Sequence, residues 1–278
     1  MRKIVVPVDF SPSSVKAVED AITIAKKVTG EIGIIHVNKV NSFASMFGSH
    51  KTAENAGDVE KSMEKLVKSI DFKGIDYTTT LRTGSVNKEI AAYAEENSAY
   101  LTVIGIETPG SNTSWLSADA YKIISISPCP VISIPFSDKP FDLKKIVLPI
   151  DTSITTRHKA PFTAELANAF RAVVYVLGTC MDESPEFVSK LEGYCYQVRK
   201  FLNQANTPNE FEFLIGSNDV KMTIDYAKTI NADMIAVLTE HEPGQINFKG
   251  SIAQQMIQSS PIPILSIHKS FDVQNFEY

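Results

Sequence analysis

Two aspartates stand at matched positions in this sequence, each directly after a short apolar run. Asp9 follows the run Ile4–Val8, and Asp151 follows Ile146–Ile150. Apolar runs bounded by turn residues are typical of strands that are buried on both faces, as in parallel sheets. A carboxylate at the end of such a strand lies where open α/β sheets bind ligands, and it can accept hydrogen bonds from hydroxyl or amino groups. The structural alternative is that each aspartate caps the helix that follows it.

The remaining polar residues indicate little catalytic chemistry. Gly250-Ser251 precedes the last helical pattern and favours an anion site at a helix start, where free N–H groups and the helix dipole attract negative charge. No G-x-S-x-G nucleophile motif occurs, and the histidines lack the spacing of metal ligands, so we predict neither catalytic residues nor a metal site. The histidines are His36, His50, His158, His241 and His268.

Composition narrows the class of protein further. The 278 residues are 44% hydrophobic and 21% charged, with a net charge of −5, which disfavours a nucleic-acid backbone as the main partner. Three cysteines without a C-x-x-C pair indicate small buried side chains in a reducing compartment. No apolar run approaches the roughly 18–20 residues that span a bilayer, and no signal peptide precedes the first strand. We therefore expect a cytoplasmic protein with no nucleic-acid or membrane partner.

Strand and helix patterns alternate twice in the same order, which indicates an internal duplication. Asp9 and Asp151 are 142 positions apart, whereas the turn glycines Gly84 and Gly216 are 132 apart. The second copy therefore has a shorter connection after its second strand. Alternating strands and helices predict an α/β fold in which each copy forms a doubly wound parallel sheet of five strands.

The predicted boundaries follow from this duplication. The first domain covers residues 1–135 and the second covers 144–270. Residues 136–143 form a linker with two prolines and no periodicity, and 271–278 form a C-terminal tail.

Turn residues predict where individual elements end. We expect Gly30 to stop the first helix, and a polar loop without periodicity to cover 41–57. We expect the third strand to end at Leu81 before a turn that contains Gly84. The fourth strand is expected to end at Gly105.

Several short motifs in a fixed order carry a resemblance to a known family. They are Val6-Pro7-Val8-Asp9-Phe10-Ser11, Leu148-Pro149-Ile150-Asp151-Thr152-Ser153, Ile35-His36-Val37, Val103-Ile104-Gly105 and Pro128-Cys129-Pro130-Val131.

On these motifs the chain resembles a tandem universal stress protein over nearly its whole length. The resemblance implies Rossmann-like domains of the adenine nucleotide alpha hydrolase-like type, with helices on both faces of each sheet. It also implies that the two domains pair within the chain through their last strands, Val131–Ile134 and Ile264–Ile267. A homodimer of the whole chain and unknown protein partners remain open.

Some family members bind ATP through the signature G-x2-G-x9-G-[ST], and the first half of this chain matches it only in part. Gly105 stands at the first position, but Thr108 occupies the second glycine position, with Gly110 two residues later. The closing pair falls at Ser117-Ala118. Such glycines allow a backbone to approach phosphates closely, so their loss weakens the expectation of a phosphate loop. Gly105 and Gly110 can equally be ordinary turn residues.

The second half has lost the other part of the signature. Gly250-Ser251 preserves the closing pair, whereas Leu238 and His241 stand at the opening glycine positions. The Leu238 side chain is expected to obstruct a triphosphate held against the backbone. Val37 and Gly178 match the family position whose backbone meets adenine. The residues that the resemblance assigns to a cofactor site are Pro7, Asp9, Val37, Gly105, Gly110, Ser117, Asp151, Gly250 and Ser251.

The resulting functional expectation is a stress-response module that is not an enzyme. It acts by binding a ligand or as an adaptor, requires no cofactor, and has degraded ATP-binding signatures in both domains. The alternative is a protein that binds ATP, AMP or another adenine nucleotide with slow or no hydrolysis. A third class, adenylyl transferases with a related sheet, needs a H-x-G-H histidine pair, and this sequence has none.

Overall fold

The computed structural model describes residues 1–39, 56–107, 115–181, 183–239 and 252–268. The chain divides into two compact units, Met1–Pro140 and Phe141–Tyr278. We refer to these units as the first half and the second half. The exact domain boundaries given above remain predictions.

The first half forms a parallel five-stranded sheet with the order β3-β2-β1-β4-β5. Strand β1 is central. The chain first adds β2 and β3 on one side of β1, and then adds β4 and β5 on the other side. The carboxyl ends of β1 and β4 therefore border the crevice where open α/β sheets bind ligands. The elements are β1 (Arg2–Pro7), α1 (Pro12–Val28), β2 (Gly30–Lys39), α2 (Ala56–Ser69), β3 (Tyr77–Gly84), α3 (Val86–Glu96), β4 (Leu101–Ile106), α4 (Trp115–Ile126) and β5 (Val131–Pro135).

The second half repeats this order as β8-β7-β6-β9-β10, again with parallel neighbours. Its equivalent crevice lies at the ends of β6 and β9. The elements are β6 (Lys145–Ile150), a single 3₁₀ turn (Thr156–Lys159), α5 (Ala160–Phe170), β7 (Val173–Cys180), α6 (Pro185–Gln204), β8 (Asn209–Ile215), α7 (Asp219–Thr229), β9 (Met234–Thr239), α8 (Ile252–Ser259) and β10 (Ile264–His268).

The apolar run after the N-terminus forms a strand because both of its faces are covered. Every residue from Ile4 to Val8 is buried, and successive strand residues point to opposite faces. Helix α1 packs against β1, β2 and β4 with buried residues that recur at helical spacing, including Val18 and Ile22. Burial of such side chains contributes about 1.5–3 kcal/mol each, which makes this layer the source of the fold's stability.

Both ends of α1 lie within one residue of the positions that the sequence predicts, near Pro12 and Thr29. Ser11 is the N-cap and Pro12 takes the first helical position, as capping preferences predict. The role predicted for Gly30 is wrong, because Thr29 is the left-handed C-cap with φ of 56° and Gly30 already opens β2. Gly30 is required for a different reason: a Cβ there would lie 2.7 Å from the carbonyl oxygen of Arg2 on the neighbouring strand.

Two strands extend further than the turn residues predict. Strand β3 continues to Gly84, because β2 extends to Lys39 and pairs with it in register. Strand β4 continues to Ile106, so Gly105 lies inside a strand and is not the turn residue that the sequence suggests. Most of the predicted loop 41–57 lies outside the described residues, and α2 begins at Ala56.

Strand register fixes which residues of the two halves are equivalent. Pro7 pairs with Ile35, and Pro149 pairs with Leu177, so the offset of 142 found at the aspartates holds in the second strand of each half. Val37 therefore corresponds to Thr179. The match of Val37 with Gly178 is wrong by one residue.

The offset of the fourth strands differs from that of the first strands. Ile4 pairs with Leu101, and its equivalent Ile146 pairs with Met234. Counting along these strands, Gly105 corresponds to Leu238, as the sequence alignment of the two halves indicates.

Candidate functional site

Asp9 lies in a tight turn directly after β1. Its Oδ1 accepts hydrogen bonds from the N–H and the hydroxyl of Ser11, and its own N–H donates to Ser14 Oγ at 3.3 Å. Ser11, and not Asp9, is the N-cap of α1, since its hydroxyl accepts from the N–H of Ser14. The carboxylate therefore braces the turn, and the helix-cap interpretation of Asp9 is wrong.

Asp151 lies in the same kind of turn. Its Oδ1 accepts from the N–H of Ser153 at 2.7 Å, and its N–H donates to Thr156 Oγ1 at 3.2 Å. The N-cap of the following 3₁₀ turn is Thr155, so this aspartate is not a helix cap either. The sequence pattern shared by the halves is an aspartate, a serine two residues later and a hydroxyl residue five residues later. That pattern holds each aspartate at the carboxyl end of a central strand.

Gly105 allows α1 to pack directly on β4. A Cβ at this position would lie 2.0 Å from the carbonyl oxygen of Ser13 and 2.5 Å from its carbonyl carbon, which no side chain tolerates. The hydroxyl of Ser13 donates to Glu107 Oε1 at 3.1 Å, and its oxygen lies 3.1 Å from Ser11 Oγ. The hydroxyls of Ser11 and Ser13 therefore lie between the carboxylates of Asp9 and Glu107 at the strand ends of the first half.

The second half has a different backbone at this place, because Leu238 stands where the first half has Gly105. Thr156–Lys159 forms a 3₁₀ turn, and α5 begins only at Ala160. Arg157 fixes the turn: its guanidinium lies 4.2 Å from the centre of the Tyr194 ring and donates to a nearby carbonyl oxygen and to a side-chain amide. We attribute the altered turn to the leucine side chain, because no Cβ fits at the position of Gly105 while the helix backbone packs on the fourth strand as it does in the first half.

A cavity of about 330 Å³ opens beside this turn, at the carboxyl ends of β6, β7 and β9. One wall is apolar and the other carries titratable and hydroxyl groups. The apolar wall includes Pro149, Val237, Leu238, Ile252, Ala253 and Met256, and the polar wall includes Asp151, Ser153, Thr156, Lys159, Thr179, Asp219 and Thr223.

Lys159 is the one cation among the described residues that line this cavity. Its side chain is only 4% exposed, and its ammonium donates to Thr156 Oγ1 at 3.3 Å. Burial lowers the pKa of Lys159 to about 8, because an ammonium loses hydration there, while the charge of Asp151 acts in the opposite direction.

Asp219 lines the same cavity from the start of α7. Burial raises the pKa of its carboxyl group, and the neighbouring charge of Asp151 raises it further, while a hydrogen bond from Thr179 lowers it. Within the described part of the chain, Asp219 Oδ1 and the fully buried hydroxyl of Thr223 have no hydrogen-bond partner. Buried polar atoms of this kind are rare in native proteins and call for an explanation.

The residues that the sequence assigns to a site are distributed unevenly. Pro7 is buried at the end of β1, two residues before Asp9, and Val37 is buried within β2, two residues beyond the partner of Pro7. Ser117 lies within the span of α4, and nothing further is described of its side chain. Gly110, Gly250 and Ser251 lie outside the described residues. All of these assignments remain predictions.

Sequence reasoning missed Lys159 and Asp219. With the offset of 142, Lys159 corresponds to Ala17, a buried alanine of α1. A lysine at the position of a core alanine is a signal that an alignment of the two halves would have shown. With the offset of 132 found at the turn glycines, Asp219 corresponds to Asn87.

Neither a metal cluster nor a membrane-spanning helix occurs in the described ranges. No group of three His, Cys, Asp or Glu side chains there comes together to hold a metal ion. None of the helices in those ranges is both long enough and apolar enough to cross a bilayer.

Both halves of the chain match one known protein family. The universal stress protein family matches at residues 1–135 and again at 142–268. The chain belongs to the universal stress protein family. The two matched segments agree with the duplicated order of strands and helices, so each half is one universal stress protein domain.

Two relatives match about half of the chain, and one solved structure matches nearly all of it. The universal stress protein YxiE of Bacillus subtilis is 28% identical over 145 residues, which is 48% of this chain and 98% of the relative. The universal stress protein MJ0531 of Methanocaldococcus jannaschii is 28% identical over 143 residues, 48% of this chain and 81% of the relative. A solved universal stress protein from Archaeoglobus fulgidus has a TM-score of 0.75 at 15% identity and covers 96% of this chain and 98% of its own, which shows a shared fold.

Proposed function

We propose that the chain is a non-enzymatic stress-response protein that binds a small ligand in the cavity of its second half and acts as a ligand-dependent adaptor. The cavity carries this proposal. It lies at the ends of β6 and β9, where open α/β sheets bind ligands, and it combines an apolar wall with a few polar groups, as small-molecule sites do.

The charges of the cavity support binding without phosphoryl transfer. Enzymes that transfer phosphoryl groups surround the phosphates with positive charge and backbone N–H groups. Here the carboxylates of Asp151 and Asp219 accompany Lys159, and Leu238 occupies the position of the opening glycine. A triphosphate would meet net negative charge and a leucine side chain at this place.

The first half has its own obstacle to a triphosphate. At the ends of β1 and β4, Asp9 accepts a hydrogen bond from the hydroxyl of Ser11, and Glu107 accepts one from the hydroxyl of Ser13. Two carboxylates at the strand ends repel phosphate oxygens, so the degraded signature and the electrostatics point in the same direction.

Calorimetry and thermal-shift measurements on the full chain test the proposal. We expect ATP, ADP and AMP to give no heat above dilution, and phosphate release from ATP to be no faster than with heat-denatured protein. A panel of small neutral and zwitterionic metabolites should contain a ligand that raises the melting temperature. Asp151→Ala should abolish that shift, and the matched change Asp9→Ala in the first half should leave it intact.

The second candidate function is an ATP- or AMP-binding protein with slow or no hydrolysis. The observation that favours it is the first half, which keeps Gly105 beside Asp9. Micromolar ATP binding that is lost in Asp9→Ala and kept in Asp151→Ala would replace the proposed function with this one.

A further inference from the structure

Lys159 carries a charge whose burial costs free energy. A buried ammonium loses most of its hydration, and the hydrogen bond to Thr156 replaces only part of it. The equivalent position in the first half is Ala17, which shows that this fold does not need a cation there. A buried charge that the fold does not need is a sign of a binding role.

The carboxylate of Asp219 has one oxygen without a hydrogen-bond donor. Asp219 Oδ1 is buried and has no hydrogen-bond partner among the described residues, and the same holds for the hydroxyl of Thr223. Thr223 is fully buried, and both residues line the cavity together with Lys159. A bound molecule that brings a hydrogen-bond donor to Asp219 would satisfy its buried oxygen, which is costly to leave without a partner.

The charges and the size of the cavity limit what that molecule can be. Among the described lining residues, two carboxylates and one ammonium repel a polyanion, yet Lys159 favours one anionic group close to it. The volume of about 330 Å³ lies at the lower end of the range for small-molecule sites, about 300–1,000 Å³. The apolar wall of Leu238, Ile252 and Met256 offers contact to a hydrocarbon portion of the ligand.

We infer that the second-half cavity binds a small zwitterion of the α-amino acid type, with its carboxylate at Lys159 and its ammonium at Asp219. The inference rests on the proposed function and names the ligand class of the same site. Asp151 also lines the cavity, and its charge acts on Lys159. Because a zwitterion has no net charge, the loaded site has the same overall charge as the empty one. The side chain of the amino acid packs against the apolar wall.

The test is titration of the full chain with single amino acids, followed by thermal shift and calorimetry. We expect at least one apolar amino acid to bind. Its N-acetyl form lacks the ammonium and its amide lacks the carboxylate, and each should bind at least tenfold more weakly. Lys159→Met and Asp219→Asn should each weaken binding at least tenfold, whereas Asn87→Ala at the equivalent first-half position should leave it unchanged.

Other results overturn the inference in distinguishable ways. An uncharged nucleoside or polyol that binds with loss in Asp151→Ala would keep the proposed function and remove the zwitterion. Amino-acid binding that Lys159→Met and Asp219→Asn leave intact would remove the assigned contacts. No shift with any member of the panel would overturn the proposed function itself. If a variant does not fold, the analogue series on the parent chain still gives the answer.

Discussion

The two halves of the chain share a strand order and an aspartate turn, but they differ at two equivalent positions near the strand ends. In the first half Gly105 lets the backbone of α1 pack on β4, so we call this the packed half. In the second half Leu238 lines a cavity at the equivalent place, so we call this the hollow half. Ala17 in the first half is a core residue, whereas Lys159 in the second half lines the cavity. Among the described residues, the two crevices therefore differ in one side chain on the fourth strand and one on the first helical segment.

The largest expected effect comes from adding a methyl group to the packed half. Gly105→Ala places a Cβ 2.0 Å from the Ser13 carbonyl oxygen, so α1 must shift. We expect a loss of about 3 kcal/mol or more in the free energy of unfolding, at the upper end of overpacking effects. Urea denaturation measures it.

The matched change in the hollow half is Leu238→Ala. It removes three carbon atoms from a half-buried side chain and should cost only about 1–2 kcal/mol. If Leu238→Ala were the more damaging of the two, the assignment of Gly105 as the residue that allows close packing would be wrong.

A methionine at the equivalent positions 159 and 17 should change the free energy of unfolding in opposite directions in the two halves. Lys159→Met removes a buried charge at nearly constant length and should stabilise the chain by about 2 kcal/mol near pH 7. Ala17→Met adds volume to a filled core and should destabilise it by about 1–3 kcal/mol. Urea denaturation of both variants and the parent checks the signs, and destabilisation by Lys159→Met would show that the lysine is structural.

The stabilisation by Lys159→Met should also depend on pH. The pKa of Lys159 is about 8 in the folded chain and near 10.5 in the unfolded chain, so the parent carries its full penalty below pH 8 and loses it as the pH rises towards 10.5. The advantage of the variant should therefore shrink by about 2 kcal/mol between about pH 7 and pH 9.5.

The neighbouring thiol provides a check on this pH dependence. Burial raises the pKa of Cys195 to about 12, so the folded chain holds its proton more tightly than the unfolded chain above pH 9. Burial, the first cause of that shift, acts in the parent and in the variant, whereas the smaller lowering by the charge of Lys159 is lost in the variant, so the difference between them leaves mainly the lysine. A difference that stays constant with pH would contradict the lowered pKa of Lys159.

The smallest expected effect concerns the aspartate turns. Ser11→Ala removes the N-cap of α1 and its bond to Asp9, and should cost about 1 kcal/mol. Ser153→Ala should change the free energy of unfolding by less than about 0.5 kcal/mol, because its backbone N–H makes the described bond to Asp151. Equal effects in thermal denaturation would mean that the two turns are held in the same way.

Periodicity predicted most of the fold because each element follows from neighbouring residues. The buried run Ile4–Val8 and the helix with Val18 and Ile22 on its buried face are local patterns, and the family match confirms the duplication. The failures at Gly30 and Gly105 have one cause. Both glycines are required by a backbone that approaches from a distant part of the sequence, and no local rule contains that information.

The candidate site was predicted less completely for a related reason. Asp9 and Asp151 were found because they end recognisable strands. Lys159 lies in the 3₁₀ turn, whereas Asp219 and Thr223 lie on α7, and their meeting at one cavity depends on how these two elements pack around β6.

By itself, the sequence determined the tandem α/β architecture and the position of an aspartate at the end of each central strand. Hydrophobic spacing and turn residues act over a few positions, and they repeat in both halves. Only the tertiary structure decided that the second half is hollow, with Lys159 and Asp219 lining the same space. Whether a crevice is packed depends on contacts between residues far apart in the chain, such as Ser13 with Gly105.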